Sequence, residues 1–218
     1  MSTIEETISS EDARCFYDRL GASHDLGQQF EREAKSRGLE RLALQPGLRV
    51  LNVGVGTGKE QAQIQSAISP GGTAVGVDLA RTMLRLSQER VPPPGNRALC
   101  AAKAQALPFR DGAYDRVFSS YMLDLIPTGL LPTILREIRR VLRPDGFFVG
   151  VSLTEGTTLA SRALMGAWKA FYRVSPYALG GCRPVRLTYP LLEAGFADVE
   201  REVVVQLGMP SEILVARP

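Results

Sequence analysis

The chain has 218 residues, a formal net charge of +3, 44% hydrophobic and 22% charged residues, and a mean hydropathy of −0.03. These values exclude a disordered chain, a collagen-like chain and an integral membrane protein, and they leave a globular protein long enough to bury a real core. The basic residues, mostly arginine, are scattered from Arg14 to Arg217 without forming a block, so charge gives no footprint for nucleic acid.

The opening stretch MSTIEETISSEDARC carries acids and no apolar h-region, and nowhere do 18 apolar residues run together, so neither a signal peptide nor a membrane span is expected and a cytoplasmic location is. Residues 1–45 read as an N-terminal helical cap. LRVLNV (48–53) follows as a first buried strand, then a helix from Lys59 to about Ser69. The Pro70-Gly71-Gly72 turn introduces a second strand, TAVGV (73–77), and a helix from about Ala80 to Val91 ends at Pro92, Pro93 and Pro94. ALCAA (98–102), DRVFSS (115–120) and FFVGVSL (147–153) supply three more strands, the first of them weak. Before the last of these, Leu131, Ile134, Leu135, Ile138, Val141 and Leu142 recur at helical spacing, with Arg136, Glu137, Arg139 and Arg140 on the other face and Pro144-Asp145-Gly146 as the stop. Late in the chain Thr188 is placed to cap a short helix ending at Gly195. VEREVVVQL (199–207) and SEILVAR (211–217) are joined only by Gly208, Met209 and Pro210, too short for a parallel crossover, so they form an antiparallel hairpin. Strands alternating with helices predict an α/β fold with a mostly parallel sheet.

The densest chemistry lies in VLNVGVGTGKE, where Gly54, Gly56 and Gly58 let a nucleotide-like ligand approach a helix N-terminus at the carboxyl end of a central strand. The turn is not the dinucleotide fingerprint, because Lys59 stands where a glycine is needed. Nor is it a P-loop, because Glu60 replaces Ser or Thr and Val53 replaces the first glycine. Twenty residues after Gly58 the second strand ends in Asp78, an acid suited to accept from both hydroxyls of a ribose or to cap the next helix. Cys15, Cys100 and Cys182 are far apart and form no C-x-x-C pair, so neither a disulfide framework nor a metal site is expected.

From about Phe16 to Arg217 these residues resemble the class I S-adenosylmethionine-dependent methyltransferases, in the small-molecule group that includes quinone, sterol and phospholipid methylating enzymes. VLNVGVGTG, VGVDLARTML, AQALPFRDGAYDRVFSSYMLDLIP, LREIRRVLRPDGFFVGVSL and the final hairpin are similar, in order, to that family's motifs. The resemblance implies a Rossmann-like, seven-stranded, mostly parallel sheet with an antiparallel C-terminal hairpin and helices on both faces. It divides one domain into the cap (1–45), a cofactor-binding core (46–153), a substrate-covering insertion (154–186) and a final helix and hairpin (187–218). It also implies S-adenosylmethionine as cofactor and S-adenosylhomocysteine as product. Asn52 and Val53 open the first motif, Gly54, Gly56 and Gly58 pass under the methionine part, and Asp78 holds the ribose. Leu79 and Met83 flank the adenine, Lys103, Ala104 and Gln105 lie along its edge, and Ser119 lies near the methionine. Tyr17 matches a tyrosine that closes the site, or else it packs with Phe16 as a staple. Two positions depart from the pattern. Asn52 stands where the family usually carries an acid for the cofactor's ammonium, and Lys103 where an aspartate accepts the adenine amino proton, so weaker cofactor binding is expected.

Transfer from a sulfonium is an in-line displacement that needs positioning and no metal. Where the acceptor must lose a proton, the candidate bases are His24, Asp124 and Tyr121, against solvated or turn-capping roles for the first two. In the insertion, Leu164, Trp168, Phe171 and Tyr172 form an apolar stripe, with Arg162, Lys169 and Arg173 facing elsewhere. Three roles suit that stripe: a roof over an apolar acceptor pocket, with Arg173, Arg183 and Arg186 drawing an anionic group, ordinary core, or a helix touching a membrane surface. The reading is methyl transfer to a small-molecule acceptor, apolar or anionic, with no nucleic-acid partner. The alternative is a protein of the same fold that binds S-adenosylmethionine and transfers nothing. SSYM lacks the Asn/Asp-Pro-Pro-aromatic tetrad of enzymes that methylate base amines, and the final hairpin disfavours a nicotinamide oxidoreductase.

Overall fold

The computed structural model describes residues 7–91 and 97–218. A single sheet contains β1 (Arg49–Val53), β2 (Thr73–Asp78), β3 (Arg97–Ala101), β4 (Tyr114–Ser120), β5 (Leu142–Leu153), β6 (Asp198–Gln206) and β7 (Met209–Arg217), in the order β3-β2-β1-β4-β5-β7-β6. β7 runs antiparallel to both of its neighbours, β5 and β6, while the strands from β3 to β5 pair in parallel. The helices are α1 (Ser10–Leu20), α2 (Arg32–Arg41), α3 (Lys59–Ile68), α4 (Arg81–Arg90), α5 (Leu131–Val141), α6 (Leu159–Val174) and α7 (Thr188–Glu193), and a 3-10 segment, Gly21–Phe30, joins α1 to α2.

Alternation along the strands sends side chains to two cores. On one face Leu51, Val117 and Phe148 pack against Ile134, Leu135 and Ile138 of α5 and Leu191 of α7. On the other, Val50, Phe118 and Val149 meet Ala34 of α2 and Ile64 and Ile68 of α3. A central strand covered on both faces is mostly apolar, and in β1 Val50, Leu51 and Val53 are buried, with Asn52 between them. The α5 stripe is fully buried, and each of its Leu and Ile side chains contributes about 1.5–3 kcal/mol relative to exposure. The chain runs outward from β1 through β2 to β3, then returns to place β4 on the other side of β1. That reversal opens a crevice at the carboxyl ends of β1 and β4.

Four local readings are corrected. The helix ends at Val141, and Leu142 begins β5 opposite Tyr114, with Pro144, Asp145 and Gly146 taken up in an irregular register before Arg116 pairs with Phe147. Leu142 is buried either way, so its apolar character fits the strand as well as the stripe. Thr188 is the first residue of α7 rather than its cap, and Leu187, the residue before it, donates its N–H to Glu212 Oε1 at 2.9 Å. The hairpin turn is only Leu207-Gly208, with φ of 51° and 85°, the doubly left-handed turn that matches strand twist. In α6 the buried face is Ser161, Met165, Lys169 and Tyr172, while Leu164 and Phe171 are exposed. Lys169 is drawn inward by its ion pair with Glu155. The prolines expected to end α4 lie outside the described residues, and α4 itself stops at Arg90.

The N-terminal cap is tied over the crevice by hydrogen bonds. Ser9 Oγ accepts from Asp12 N (3.1 Å) at the start of α1, and Asp18 at its far end accepts from Thr82 N (2.9 Å) in the first turn of α4. α1 therefore both begins with a cap and supplies one.

Candidate functional site

The crevice deepens into a cavity floored by Val53, Gly54, Gly56 and Thr57, walled by Asp78, Leu79, Met83, Lys103, Ala104 and Gln105 on one side and by Ser120, Tyr121, Met122, Leu125 and Ile126 on the other. Arg14 and Tyr17 of α1, His24 of the 3-10 segment and Lys35 of α2 cover it. The floor depends on backbone that only glycine adopts without strain. Gly54, Gly56 and Gly58 have φ of 79°, 54° and 83°. A Cβ on Gly54 would lie 2.7 Å from Cβ and Cγ of Met122, and one on Gly58 would lie 2.6 Å from the Cα of Ser87 in α4.

Asp78 organises this loop. Its Oδ2 accepts from Gly56 N and its Oδ1 from Ala80 N, both at 2.9 Å, while Gly54 N and Val55 N donate to Val77 O at 2.8 and 3.0 Å. Burial raises the Asp78 carboxyl above its ordinary range, against the pull of the Ala80, Gly56 and Leu79 amides. Each oxygen retains a lone pair beyond the one it uses, so hydroxyls can be added without breaking the loop.

A second polar group forms where α2 meets α3. The Lys35 ammonium is buried 2.9 Å from Glu31 Oε2 and 3.5 Å from Glu60 Oε1, and it lies 5.4 Å from the centre of the Tyr121 ring. Burial pulls the ammonium down, but Glu60 and Glu31 outweigh it and the net shift is upward. Tyr121 is held at a positive φ of 49°, rare for a residue with a side chain, and its hydroxyl shares a 2.6 Å hydrogen bond with Ser211 Oγ. Burial pushes its phenol well above the ordinary value, and that of Tyr17 as well. The Tyr17 and His24 rings meet edge to face, with centroids 5.6 Å apart. Burial, then the charge of Lys35, lowers the His24 imidazole, so it is neutral near pH 7.

The cover is strapped to the floor. Thr57 Oγ1 donates to Asp25 Oδ1 (2.7 Å), and Arg90 donates to Thr57 Oγ1 (2.9 Å) and to Asp25 Oδ2 (2.8 Å). Burial raises the Asp25 carboxyl, but the Thr57 and Arg90 hydrogen bonds outweigh it and leave it below its ordinary value.

Of the residues singled out from the sequence, Tyr17, His24, Val53, Gly54, Gly56, Asp78, Leu79, Met83, Lys103, Ala104, Gln105 and Tyr121 line this one cavity, and Asn52, Gly58, Ser119 and Asp124 do not. Asn52 is buried inside β1, outside the cavity lining. Ser119 is buried, and strand alternation gives the wall its successor, Ser120. Asp124 is fully buried outside the lining. Leu153 N donates to its Oδ2 at 3.1 Å, and burial raises its carboxyl to about 7. Residues 154–186 supply none of the described lining residues, and Trp168 donates to Cys182 O at 3.0 Å, whereas the N-terminal segment contributes Arg14, Tyr17, His24 and Lys35. Sequence reading missed Lys35, Glu60, Arg14 and Thr57. For Lys35, in the polar helix REAKSRGLER, no local signal distinguishes a buried ammonium from a solvated one.

Residues 50–146 match the family model described as a methyltransferase domain. The demethylmenaquinone methyltransferase of Anoxybacillus flavithermus is 30% identical over 141 residues, 64% of this chain and 58% of that protein. The chain thus spans under two thirds of that relative's length. An S-adenosylmethionine-dependent methyltransferase from Aquifex aeolicus superposes with a TM-score of 0.65 at 16% identity, covering 94% of this chain and 98% of that one. The Haemonchus contortus phosphoethanolamine N-methyltransferase 2, solved with S-adenosyl-L-methionine, gives 0.65 at 19% identity over 85% of this chain and 52% of that one. Sheet order, glycine turn and the match over residues 50–146 agree in making the chain similar, in fold and in this core segment, to the class I S-adenosylmethionine-dependent methyltransferases.

Proposed function

We propose that the protein transfers a methyl group from S-adenosylmethionine to a small, largely apolar acceptor. The observation that carries this reading is the glycine floor tied to Asp78 at the reversal of strand order, a cradle that a Cβ at Gly54 would fill. When bound, S-adenosylmethionine supplies a methyl group made electrophilic by its sulfonium. Asp78 has lone pairs for the ribose hydroxyls, Leu79 and Met83 offer apolar surface to the adenine, and the Gln105 amide can both donate to and accept from its edge. Glu60 and Lys35 present one charge of each sign to the zwitterionic amino-acid end. In this reading that pair faces the amino-acid end in addition to the neutral Asn52 behind it.

Tyr121, Met122, Leu125 and Ile126 make the opposite wall apolar, which suits a ring such as the demethylmenaquinone in the Anoxybacillus relative's name. His24 takes the acceptor's proton where one must leave, since it is neutral near pH 7 and lines the cavity. Asp124 lies outside the lining, so this reading gives the role to His24 instead. Calorimetry with S-adenosylmethionine, S-adenosylhomocysteine and NADH tests the reading, followed by an assay for radiolabelled methyl transfer to hydroxylated naphthalene acceptors. The two sulfur compounds should bind and NADH should not. At about 100 times the dissociation constant each should stabilise the fold by roughly 2.7 kcal/mol, a melting shift on the order of 5–10 °C. Absence of binding would sink the cofactor assignment, whereas binding without methylation of any acceptor would leave a cofactor-binding protein.

A further inference from the structure

We propose that the outward face of α6 docks on an anionic lipid surface. The two most exposed large apolar side chains among the described residues, Leu159 at 86% and Val174 at 83%, both lie on this helix, and Phe171 adds a ring exposed to 52%. At 3.6 residues per turn they share one arc with Ala163, Leu164 and Ala170, opposite the buried Ser161, Met165, Lys169 and Tyr172. The arc runs the length of a 16-residue helix, about 24 Å.

This exposure does not come from a helix that failed to pack. A reciprocal capping box between Thr158 and Ser161 starts α6, Trp168 donates to Cys182 O at 3.0 Å, and the Tyr172 hydroxyl donates to Thr7 Oγ1 at 2.7 Å. The inner face is complete, and the outer face is apolar in addition to it.

Charge decides the occupant. α6 contains no acid, its buried Lys169 pairs with Glu155, and Arg162 and Arg173, both exposed, run along one border of the apolar arc. An apolar arc flanked on one side by arginines, on a helix without acids, is the composition of a helix lying in a lipid interface, its guanidinium groups reaching anionic headgroups. A two-fold contact with a second copy would set those arginines against their own equivalents, and like charges oppose it.

Cosedimentation of the intact protein with phosphatidylcholine vesicles, and with vesicles containing one third phosphatidylglycerol, tests the proposal. The wild type should sediment with the anionic vesicles and far less with the neutral ones. The double variant Phe171→Asp/Val174→Asp should fall to background, and Arg162→Gln/Arg173→Gln should weaken binding roughly tenfold to thirtyfold. All four positions are exposed, so the melting temperature and cofactor affinity of both variants should stay at the wild-type values. Failure of the wild type to bind anionic vesicles overturns the proposal, as does binding that the double Asp variant leaves intact. A wild-type dimer in light scattering that the same variant dissociates, without vesicle binding, would assign the face to a second copy instead.

Discussion

Gly54 and Gly58 look alike in the sequence, yet the structure gives them different partners, and substitution separates their roles. Alanine at either pays the left-handed backbone penalty, about 1–2 kcal/mol. At Gly54 the new methyl presses on the Met122 side chain, which lines the cavity, and Met122 can yield only by moving into it. Gly54→Ala should therefore reduce affinity for S-adenosylmethionine at least tenfold in calorimetry while costing little beyond the backbone penalty in stability. At Gly58 the methyl meets the backbone of α4, which has no side-chain freedom to relax. Gly58→Ala should lower stability by about 3 kcal/mol or more, on the order of 6–12 °C in melting temperature. Equal effects of both changes on both readouts would show that the two glycines are interchangeable. The glycine triplet was legible in the sequence, because positive φ is a local property. Its partners Met122 and Ser87 come from the segment after β4 and from α4, and no local pattern reports such contacts.

Among the elements, the N-terminal cap has the least interior of its own: α1 buries no residue fully, and what holds the cover is a set of side-chain tethers. The Asp25–Thr57–Arg90 strap reaches the glycine floor. Asp25→Ala should destabilise the protein by about 1–2 kcal/mol and speed cofactor dissociation several-fold, read by stopped-flow displacement. Because the folded Asp25 carboxyl lies below its ordinary value, its contribution is fully present above the unfolded pKa of about 4 and is lost as pH falls through the lower folded value. The stability gap between wild type and variant should be flat from pH 5 to 8 and narrow below 4. A gap that instead widens in acid would contradict the strap. Cap tethers of this kind are long-range and polar, so the sequence showed a helical cap without showing what it closes on. The same reasoning covers α6. Its spacing marked a helix, but the buried face turned on the Lys169–Glu155 pair, a charge that periodicity counts as outward. Leu142 was legible as buried and not as strand, since burial is common to both assignments.

Across the whole molecule the sheet was the most legible feature, because its central strands are buried on both faces and the short final connection forces an antiparallel pair. What the sequence did not show is the polar block behind the cavity that joins the core strands to the segment after α6. There Leu153 N of β5 and the Cys182 thiol (3.6 Å) meet Asp124 Oδ2, while Asp124 Oδ1 and Arg183 Nε and Nη1 make no hydrogen bond to the described protein. Burial raises the Asp124 carboxyl to about 7, whereas in the unfolded chain it titrates near 4. Its contribution to stability is therefore complete below about pH 4 and is lost as pH rises through 7. His24, lowered by burial, acts in the opposite sense: its contribution is present above about 6.5 and is lost as pH falls through its folded value. The wild-type profile sums the two, and Asp124→Asn isolates one of them. The amide keeps an acceptor for Leu153 N and never ionises. Compared with wild type in denaturant titrations, it should gain stability from pH 5 to about pH 7 and level off above it, ending more than about 1 kcal/mol ahead, with cofactor affinity unchanged because Asp124 is outside the cavity lining. A difference between the two proteins that does not vary with pH would mean that Asp124 is ionised throughout the range, held charged by Arg183 across the same block.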